Sequence, residues 1–385
     1  MAGRFLSRWN CIERLEGRQL LSGSANAVPA VSQTNLVSDG AVAAAHTDAQ
    51  LINAWGLAIS NTGNVWVANN GSGTSTVYDQ AGNSQNLVVS IPGPTAAAFP
   101  TGAVFHKGKG FDVSSGSGNG PAEFIFDSAA GIISGWNQSV DLTHAIAAVD
   151  HSAAGDVFKG LATIGNRLYA TDFHHGVIEV FDQNFKEQAN KPGTFSDASI
   201  PSGFAPFGIQ AIGSKLYVTY AKQDALATSD VAGAGNGFVD VFSASGHLIR
   251  RLASGGALNS PWGVAMVPSK WGKFKGDIVV GNFGDGLMNV FNNKGQSVGQ
   301  LSDSTGTPLV IQGLWSLQPG VGGNKQQLFF TSGPNDEVDG LFGDLSASVA
   351  NVTPGSTGAG GSTSGATTGG STGGTMGNPG GYPGY

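Results

Sequence analysis

A segment of about 51 residues occurs six times along the chain, and this repeat limits the fold more than any other feature. Each copy begins with an apolar run that contains one glycine, as in Ala54–Ile59, and a second apolar run follows, as in Val65–Ala68. The aligned glycines are Gly56, Gly102, Gly160, Gly208, Gly263 and Gly313, with steps of 46, 58, 48, 55 and 50 residues. Self-similarity at such a period is typical of solenoids and propellers, in which each repeat is one supersecondary unit.

A third strand follows in the copies, and several of them continue with a fourth. A third run alternates apolar and polar residues, as in Val177–Asp182 and Phe238–Phe242, and this period of two predicts β-structure. Asp79 followed by Gly82 suits a type I turn, and a fourth run such as Leu248–Arg250 then returns. Six such units predict an all-β protein, a six-bladed β-propeller of four-stranded antiparallel blades. A pair of β-sandwiches is the alternative, but it would not require a repeat at this period.

The sixth copy lacks a fourth strand, so the ring needs one from elsewhere. Its third strand is predicted at Leu341–Leu345, after which the composition changes. Thr34–Ser38 precedes the first copy and has no other assignment. Because an open sheet edge promotes association, we expect this N-terminal strand to pair with the sixth copy and close the ring.

Composition excludes several classes of protein. Only 19 of 385 residues are basic and the formal net charge is −7, so no stripe of positive charge is available for nucleic acid. Cys11 is the single cysteine, which excludes an intramolecular disulfide. No run of 18 apolar residues is present, so the sequence predicts no transmembrane helix.

The two ends of the chain differ from the repeats. Ile12–Ser22 resembles the "LE-x-R-x-LL-S" motif at the N-termini of planctomycete extracellular proteins, and this resemblance implies export; a short amphipathic helix is the alternative. From residue 349 onward Gly, Ser and Thr dominate, and such a composition cannot offset the entropy of ordering. We therefore predict a linker with an export motif at 1–30, a propeller at 31–348 and a disordered tail at 349–385. The tail serves either as a cell-surface tether or as an unstructured extension without further function.

Longer segments of the repeats resemble a known family. They are Asn53–Ala58, Gly203–Gln210, Val218–Asp224, Gly233–Phe242, Gly255–Gly263 and Gly281–Gly286. Together they resemble an uncharacterised family of exported bacterial propeller proteins with NHL/lactonase-like architecture, and the resemblance extends from about Asn35 to Leu345. It implies the architecture and an extracellular or cell-surface location, and it assigns no catalytic residue.

Propeller geometry brings one set of polar residues to one rim. The connection from second to third strand lies beside the start of the inner strand, so these connections from all blades surround one channel mouth. The candidate ligand-binding residues there are Asn69, Asn70, Asp172, His174, Lys222, Asp224, Asn282 and Asp285. Their oxygens and imidazole suit Ca²⁺ or another divalent metal, although no cofactor is required by the sequence. The alternative is hairpin chemistry, since Asn and Asp are common turn residues.

The sequence leaves two functions open. The first is an exported, monomeric binding or scaffolding protein that presents this rim to a cell-surface polymer or protein, with Trp55, Phe207 and Trp262 either stacking on sugars or packing between blades. The second is a metal-dependent, lactonase-like hydrolase at the same rim. No glutamate begins an inner strand and no G-x-S-x-G motif is present, so the sequence favours the non-enzymatic function.

Overall fold

The computed structural model describes residues 27–94 and 98–348, which form a six-bladed β-propeller. The predicted export motif and the predicted tail lie outside the described residues. The strands in chain order are β1 (Ala30–Ser38), β2 (His46–Thr47), β3 (Ala54–Ile59), β4 (Val65–Asn69), β5 (Thr74–Tyr78), β6 (Ser84–Ser90), β7 (Pro100–Phe105), β8 (Asp112–Ser115), β9 (Gly118–Pro121), β10 (Phe124–Ser128), β11 (Ile132–Trp136), β12 (Ile146–Asp150), β13 (Phe158–Ile164), β14 (Arg167–Asp172), β15 (Val177–Phe181), β16 (Phe204–Ile212), β17 (Lys215–Lys222), β18 (Phe238–Ser243), β19 (Leu248–Ser254), β20 (Pro261–Met266), β21 (Ile278–Asn282), β22 (Met288–Phe291), β23 (Ser297–Gln300), β24 (Leu314–Pro319), β25 (Gln327–Ser332) and β26 (Leu341–Ser348). Short helical turns occur at Ser152–Ala154, Gly272–Phe274, Gly322–Asn324 and Pro334–Glu337.

Each blade is one antiparallel sheet, and consecutive blades are consecutive in sequence. Blade 1 is β3–β6, blade 2 is β7 with β10–β12, blade 3 is β13–β15, blade 4 is β16–β19, blade 5 is β20–β23 and blade 6 is β24–β26 with β1. A separate β8–β9 hairpin is inserted in blade 2, and β2 pairs with β1. In blade 3 the outer position is irregular: Gln188 N donates to Val180 O at 2.7 Å, and Phe181 bridges to Glu187. The prediction of six antiparallel blades is therefore confirmed.

The N-terminal strand closes the ring. β1 pairs antiparallel with β26, and the register places Ser38 opposite Leu341 and Ala30 opposite Ser348. The pairing therefore includes the predicted Thr34–Ser38 and extends beyond it toward the N-terminus. This confirms the predicted closure and leaves the outer edge of β26 covered.

The hydrophobic core is divided into six layers, one between each pair of neighbouring blades. Because successive side chains of a strand point to opposite faces, each strand contributes to two layers. Phe329 packs toward blade 1 against Phe342 and Leu57, whereas the next residue, Phe330, packs toward blade 5 with Val279. The alternation of apolar residues that predicted strands is thus the alternation between two cores.

Every inner strand contains a bulge of two residues, which follows the first residue of the strand in five blades and the third residue, Pro206, in blade 4. The bulge pairs are Trp55–Gly56, Thr101–Gly102, Lys159–Gly160, Phe207–Gly208, Trp262–Gly263 and Trp315–Ser316. The glycines allow neighbouring inner strands to approach closely: a Cβ at Gly56 would lie 2.7 Å from Ala103 N. In blade 6 the equivalent residue is Ser316, so the alignment of Gly313 with the other glycines was wrong by three residues. Gly313 precedes β24 and has φ of +63°.

Side chains in the bulges and opposite them join one blade to the next. Thr171 Oγ1 donates to Phe207 O at 2.8 Å, and Thr331 Oγ1 donates to Trp55 O. Thr101 Oγ1 lies 2.9 Å from both Phe158 O and Asp127 Oδ1. These contacts fix the inner strands, and therefore the first bulge residues, at the channel.

Candidate functional site

Five side chains of types that can bind a metal ion meet where blade 2 connects to blade 3. His151 and Asp156 lie in the segment between β12 and β13, Asp172 ends β14, His175 is in the β14–β15 turn and Glu179 is in β15. We call these five residues the blade 3 cluster. It lies on the rim that carries the second-to-third-strand connections, which we call the upper rim.

Asp156 stands at the centre of the blade 3 cluster and contacts both imidazoles. His151 Nδ1 is 2.7 Å from Asp156 Oδ2 and 3.2 Å from Glu179 Oε2. His175 Nδ1 is 3.3 Å from Asp156 Oδ1 and 2.5 Å from Asp172 Oδ2. Two overlapping sets of three ligand atoms, each within 4.8 Å of one another, therefore share Asp156.

The three carboxyl groups of the blade 3 cluster are largely removed from solvent. The side chains of Asp172 and Asp156 are 0% and 4% exposed, and that of Glu179 is 12% exposed. Burial raises the pKa of Glu179 to about 9, and the neighbouring charge of Asp156 adds to this effect. Glu179 Oε2 is buried and has no hydrogen-bond donor. A cation bound between these carboxylates would relieve both the repulsion and the missing hydrogen bond.

Backbone hydrogen bonds orient Asp172 toward His175. Asp172 Oδ1 accepts the N–H groups of Val157 and His174, both at 3.0 Å, which leaves Oδ2 to face His175 Nδ1. The sequence named His174 as a candidate, but the structure places His175 against Asp172. The ring centroids of His174 and His175 lie 4.8 Å apart, and the two ring planes meet at 86°. His174 Nδ1 is buried without a hydrogen-bond partner. Of the predicted residues, Asp172 alone belongs to the blade 3 cluster.

The predicted residues of blades 1 and 4 lie apart from the blade 3 cluster, and three of them have other hydrogen-bond partners. Asn69 Nδ2 donates to the hydroxyls of Thr74 and Thr76 in its own hairpin. Asn70 Nδ2 reaches Pro100 O in blade 2 at 3.2 Å. Asp224 accepts the N–H groups of residues 228 and 229 in its own loop, and Lys222 is exposed at the end of β17. These contacts have the form of hairpin chemistry, and a ligand-binding role for these residues stays a prediction.

The predicted residues of blade 5 contact each other. Asn282 Nδ2 donates to Asp285 Oδ1 at 3.0 Å and to Ala257 O at 2.8 Å. Asn259 Nδ2 donates to the other oxygen of Asp285 at 3.2 Å. Asn282 Oδ1 is buried without a hydrogen-bond partner. The pair is therefore a local network of blade 5, and none of its hydrogen bonds reaches the blade 3 cluster.

The channel mouth at the upper rim is filled by aromatic side chains. Trp55 and Trp315 stack with ring centroids 3.5 Å apart, and Trp262 and Phe207 pack edge-on against them. Trp55, Phe207 and Trp262 are 4%, 0% and 9% exposed, so they pack in the channel and present no open ring face to a sugar. Lys159 is the single charged residue among the six first bulge positions, and its Nζ lies 5.1 Å from the Trp55 ring centroid.

An asparagine beside the aromatic residues holds a carboxyl group at the same mouth. Asn53 Oδ1 accepts the indole N–H of Trp55 at 2.9 Å and that of Trp315 at 3.3 Å. Its amide nitrogen therefore points away from the two indoles and donates to Glu337 Oε2 at 2.8 Å. Burial raises the pKa of Glu337 and lowers that of Lys159. Sequence reasoning did not single out Lys159, although its place beside an aligned glycine was a usable signal.

Comparisons with known proteins identify relatives in a virus. No family model matches the chain. It is 35% identical over 331 residues to "Uncharacterized protein L690" of Acanthamoeba polyphaga mimivirus. The matched region covers 84% of this chain and 87% of L690. "Uncharacterized protein R648" of the same virus is 35% identical over 318 residues, covering 80% and 78%. The bacterial origin and the export implied by the sequence resemblance stay predictions.

Solved structures share the architecture. A streptogramin B lyase matches with a TM-score of 0.50 at 12% identity, over 83% of this chain and 98% of that chain. A protein provisionally identified as a gluconolactonase matches with a TM-score of 0.51 at 12% identity, over 83% and 93%. At such identity the likeness shows the fold alone, an NHL/lactonase-like six-bladed propeller. Within residues 27–94 and 98–348, no helix has the length and hydropathy needed to cross a membrane.

Proposed function

The chain belongs to the family that includes the mimivirus proteins L690 and R648, and we propose that it is a metal-dependent hydrolase whose centre is the blade 3 cluster. The observation that supports this proposal is that two imidazoles contact three buried or nearly buried carboxylates. Asp156, one of the three, contacts both imidazoles. The lactonase-like fold agrees with a hydrolase, but the proposal rests on the cluster.

The donor set fits a divalent transition metal better than Ca²⁺. Ca²⁺ takes oxygen ligands, whereas imidazole together with carboxylate suits Zn²⁺, Mn²⁺ or Fe²⁺. Asp156, His151 and Glu179 would hold the ion on one side, and Asp172 and His175 on the other. Such an ion supplies Lewis-acid chemistry for the hydrolysis of esters and lactones.

The chain's own residues provide rigidity on one side of the cluster and access on the other. Asp172 is fixed by two backbone N–H groups, and Asp156 is almost fully buried. In contrast, the His175 side chain is 45% exposed and that of His151 is 25% exposed. Water and a small substrate can therefore approach from the rim, while the carboxylates keep their positions.

Elemental analysis of the purified full chain tests the metal. We expect one or two equivalents of a transition metal that Asp156→Asn removes, whereas Asp285→Asn, a matched change on the same rim, retains them. Hydrolysis of p-nitrophenyl acetate and γ-butyrolactone should be lost with the metal and return when it is added back. If the purified chain retains no metal, the blade 3 cluster is not a metal centre. The same conclusion follows if Asp285→Asn loses the metal while Asp156→Asn keeps it.

Ligand binding without catalysis is a second proposal, and exposed apolar residues on the upper rim favour it. Leu226 and Val231 in the β17–β18 loop are 61% and 37% exposed, and Val338 in the β25–β26 connection is 66% exposed. Such side chains suit contact with a protein or polymer. If the purified chain carries metal but hydrolyses neither substrate, binding is the function that remains.

Export is also proposed, and a fusion of residues 1–30 to a reporter protein tests it.

A further inference from the structure

A cleft opens between blades 3 and 4 on the lower rim, the face of the ring that carries the connections from first to second and from third to fourth strand. Its volume is about 1120 Å³, and its walls include the β13–β14 and β18–β19 turns and residues 188–195. Blade 3 is a three-stranded sheet, and residues 188–195 pass where the other blades have a fourth strand. The cleft therefore results from the irregular outer position of blade 3.

The segment that replaces the fourth strand is anchored at both ends. Gln188 N donates to Val180 O at 2.7 Å in blade 3, and Phe195 N donates to Gly246 O at 2.8 Å in blade 4. Between these anchors, residues 191–194 cross from one blade to the next, and no hydrogen bond among the described residues joins them to either blade. The segment therefore forms the outer wall of the cleft.

Side-chain amides line the cleft more often than any other polar side chain. They are Asn166, Gln183, Asn184, Gln188 and Asn190. Asn166 Nδ2 donates to Gln183 Oε1 at 2.7 Å, which orients both amides and leaves Asn166 Oδ1 as an acceptor and Gln183 Nε2 as a donor. A hydroxyl group both donates and accepts hydrogen bonds, so a mixture of amide oxygens and nitrogens suits the hydroxyl groups of a carbohydrate.

The charged side chains of the cleft favour an anionic ligand. Asp182 is the one carboxylate in the lining, and its oxygens accept three hydrogen bonds from residues 184–188. Arg167 and Lys191 form no ion pair with any residue that the structure describes. Arg167 Nη1 donates to Ala244 O at 3.4 Å, which leaves its charge without a counter-ion. Two such cations suit the carboxylates of a ligand.

An added peptide strand fits this cleft less well than a carbohydrate. The carbonyl oxygens on the open side of β15, Ile178 O and Val180 O, already accept hydrogen bonds from Asn190 Nδ2 and Gln188 N. A peptide that extended the sheet would need these same oxygens. Val180 and Phe195 supply apolar contact within the cleft, as the walls of small-molecule sites commonly do.

From this cleft we propose that the protein binds an acidic oligosaccharide on its lower rim, with Arg167 and Lys191 at the carboxylates and the amides at the hydroxyl groups. The cleft exceeds the roughly 300–1,000 Å³ of small-molecule sites, which suits a ligand of more than one sugar unit. The site lies on the opposite rim from the blade 3 cluster, and it does not rest on the metal proposed there.

Isothermal titration calorimetry of the full chain at pH 7 and low salt tests the class of ligand. We expect tetragalacturonate, which carries a carboxylate on each unit, to bind at least about tenfold more tightly than the neutral cellotetraose. Tetra-aspartate has carboxylates but no hydroxyl groups, and it should also bind about tenfold more weakly than tetragalacturonate. Equal binding of cellotetraose, equal or tighter binding of tetra-aspartate, or no binding of tetragalacturonate at about 10 mM overturns the proposal.

Variants that each remove one positive charge locate the site. Arg167→Gln should weaken the binding of tetragalacturonate by about tenfold, because a hydrogen bond to a charged group is lost. Lys215→Gln is the matched control, since Lys215 is exposed at the start of β17 on the same rim but does not line the cleft, and the affinity should stay unchanged. An equal loss of affinity in both variants would show general attraction by charge and overturn the cleft as the site.

A third variant tests the amides. The Asn184 side chain forms no hydrogen bond with another described residue, so its removal leaves the turn intact. Asn184→Ala should weaken the binding of tetragalacturonate severalfold and leave the melting temperature unchanged. Unchanged affinity would show that this amide does not contact the ligand. Because the three ligands are compared on the unmodified chain, that comparison does not depend on how any variant folds.

Discussion

Replacing Asp127 by asparagine should make the stability of the propeller less dependent on pH. Asp127 lies opposite the bulge of blade 2 and is fully buried. Its Oδ1 accepts hydrogen bonds from Thr101 Oγ1 at 2.9 Å and from Gly102 N at 2.5 Å, and its Oδ2 has no donor. Burial outweighs these bonds and raises its pKa from 3.8 to about 6. The ionised form is therefore disfavoured in the folded state.

The sign and size of the effect follow from this pKa. A carboxyl whose folded pKa is above its unfolded pKa stabilises the fold fully below about pH 4, and this contribution is lost as the pH rises through 6. A shift of about two units corresponds to about 3 kcal/mol. The amide oxygen of asparagine can accept the same two hydrogen bonds but does not ionise. The unfolding free energy of Asp127→Asn relative to the unmodified chain should thus increase by about 2 kcal/mol between pH 4 and pH 7, since a small part of the effect already lies below pH 4.

Urea unfolding at pH 4, 5, 6 and 7 measures this difference. Asp141→Asn is the control, since hydrogen bonds from the Thr143 backbone and from His144 lower the pKa of Asp141, which is partly exposed. Asp141 therefore contributes stability above its unfolded pKa, and its replacement should change the pH dependence in the opposite direction. If the difference for Asp127→Asn stays within about 0.5 kcal/mol across this range, the reasoning is refuted.

Two further predictions concern the ring. Gly56→Ala should lower the free energy of unfolding by about 3 kcal/mol, because the added Cβ would meet backbone atoms of blade 2. Gly323→Ala is the control in the same denaturation experiment and should leave the free energy of unfolding unchanged, because no atom lies within contact distance of a Cβ there. Deletion of residues 31–40 should expose the edge of β26 and cause aggregation measurable by light scattering; a deletion variant that stays monomeric with an unchanged melting temperature would contradict the role of β1.

The sequence was sufficient to predict the architecture because the information is local and repeated. Alternation within each run encodes the two core layers that a strand contacts, and the glycine marks the bulge where inner strands crowd together. The alignment failed at Gly313 because blade 6 has Ser316 at the bulge, where a serine is accommodated. The closing strand was predictable from the count of strands alone.

The candidate sites were less predictable, since their residues occupy different kinds of position in the blades and share no sequence pattern. Asp172 follows a strand and carries the usual signal of a polar rim residue. Glu179 lies inside β15, on the face toward blade 2, and its contact with His151 depends on how blade 2 packs against blade 3. Asp156 lies in a connection with no motif of its own. Contacts between blades have no period in sequence, so the blade 3 cluster needed the structure.

The pairing of β1 with β26 has a consequence for how the chain is made. During synthesis, the strand at residues 30–38 emerges first, and its partner at residues 341–348 emerges after all other strands. The first strand must therefore remain available, without its partner, while five blades form behind it. Closing a loop of this length is slow compared with forming any single blade, because each blade joins residues that are near in sequence. The seam is thus the last part of the ring to form, and conditions that delay it leave two complementary strand edges open on every nascent molecule.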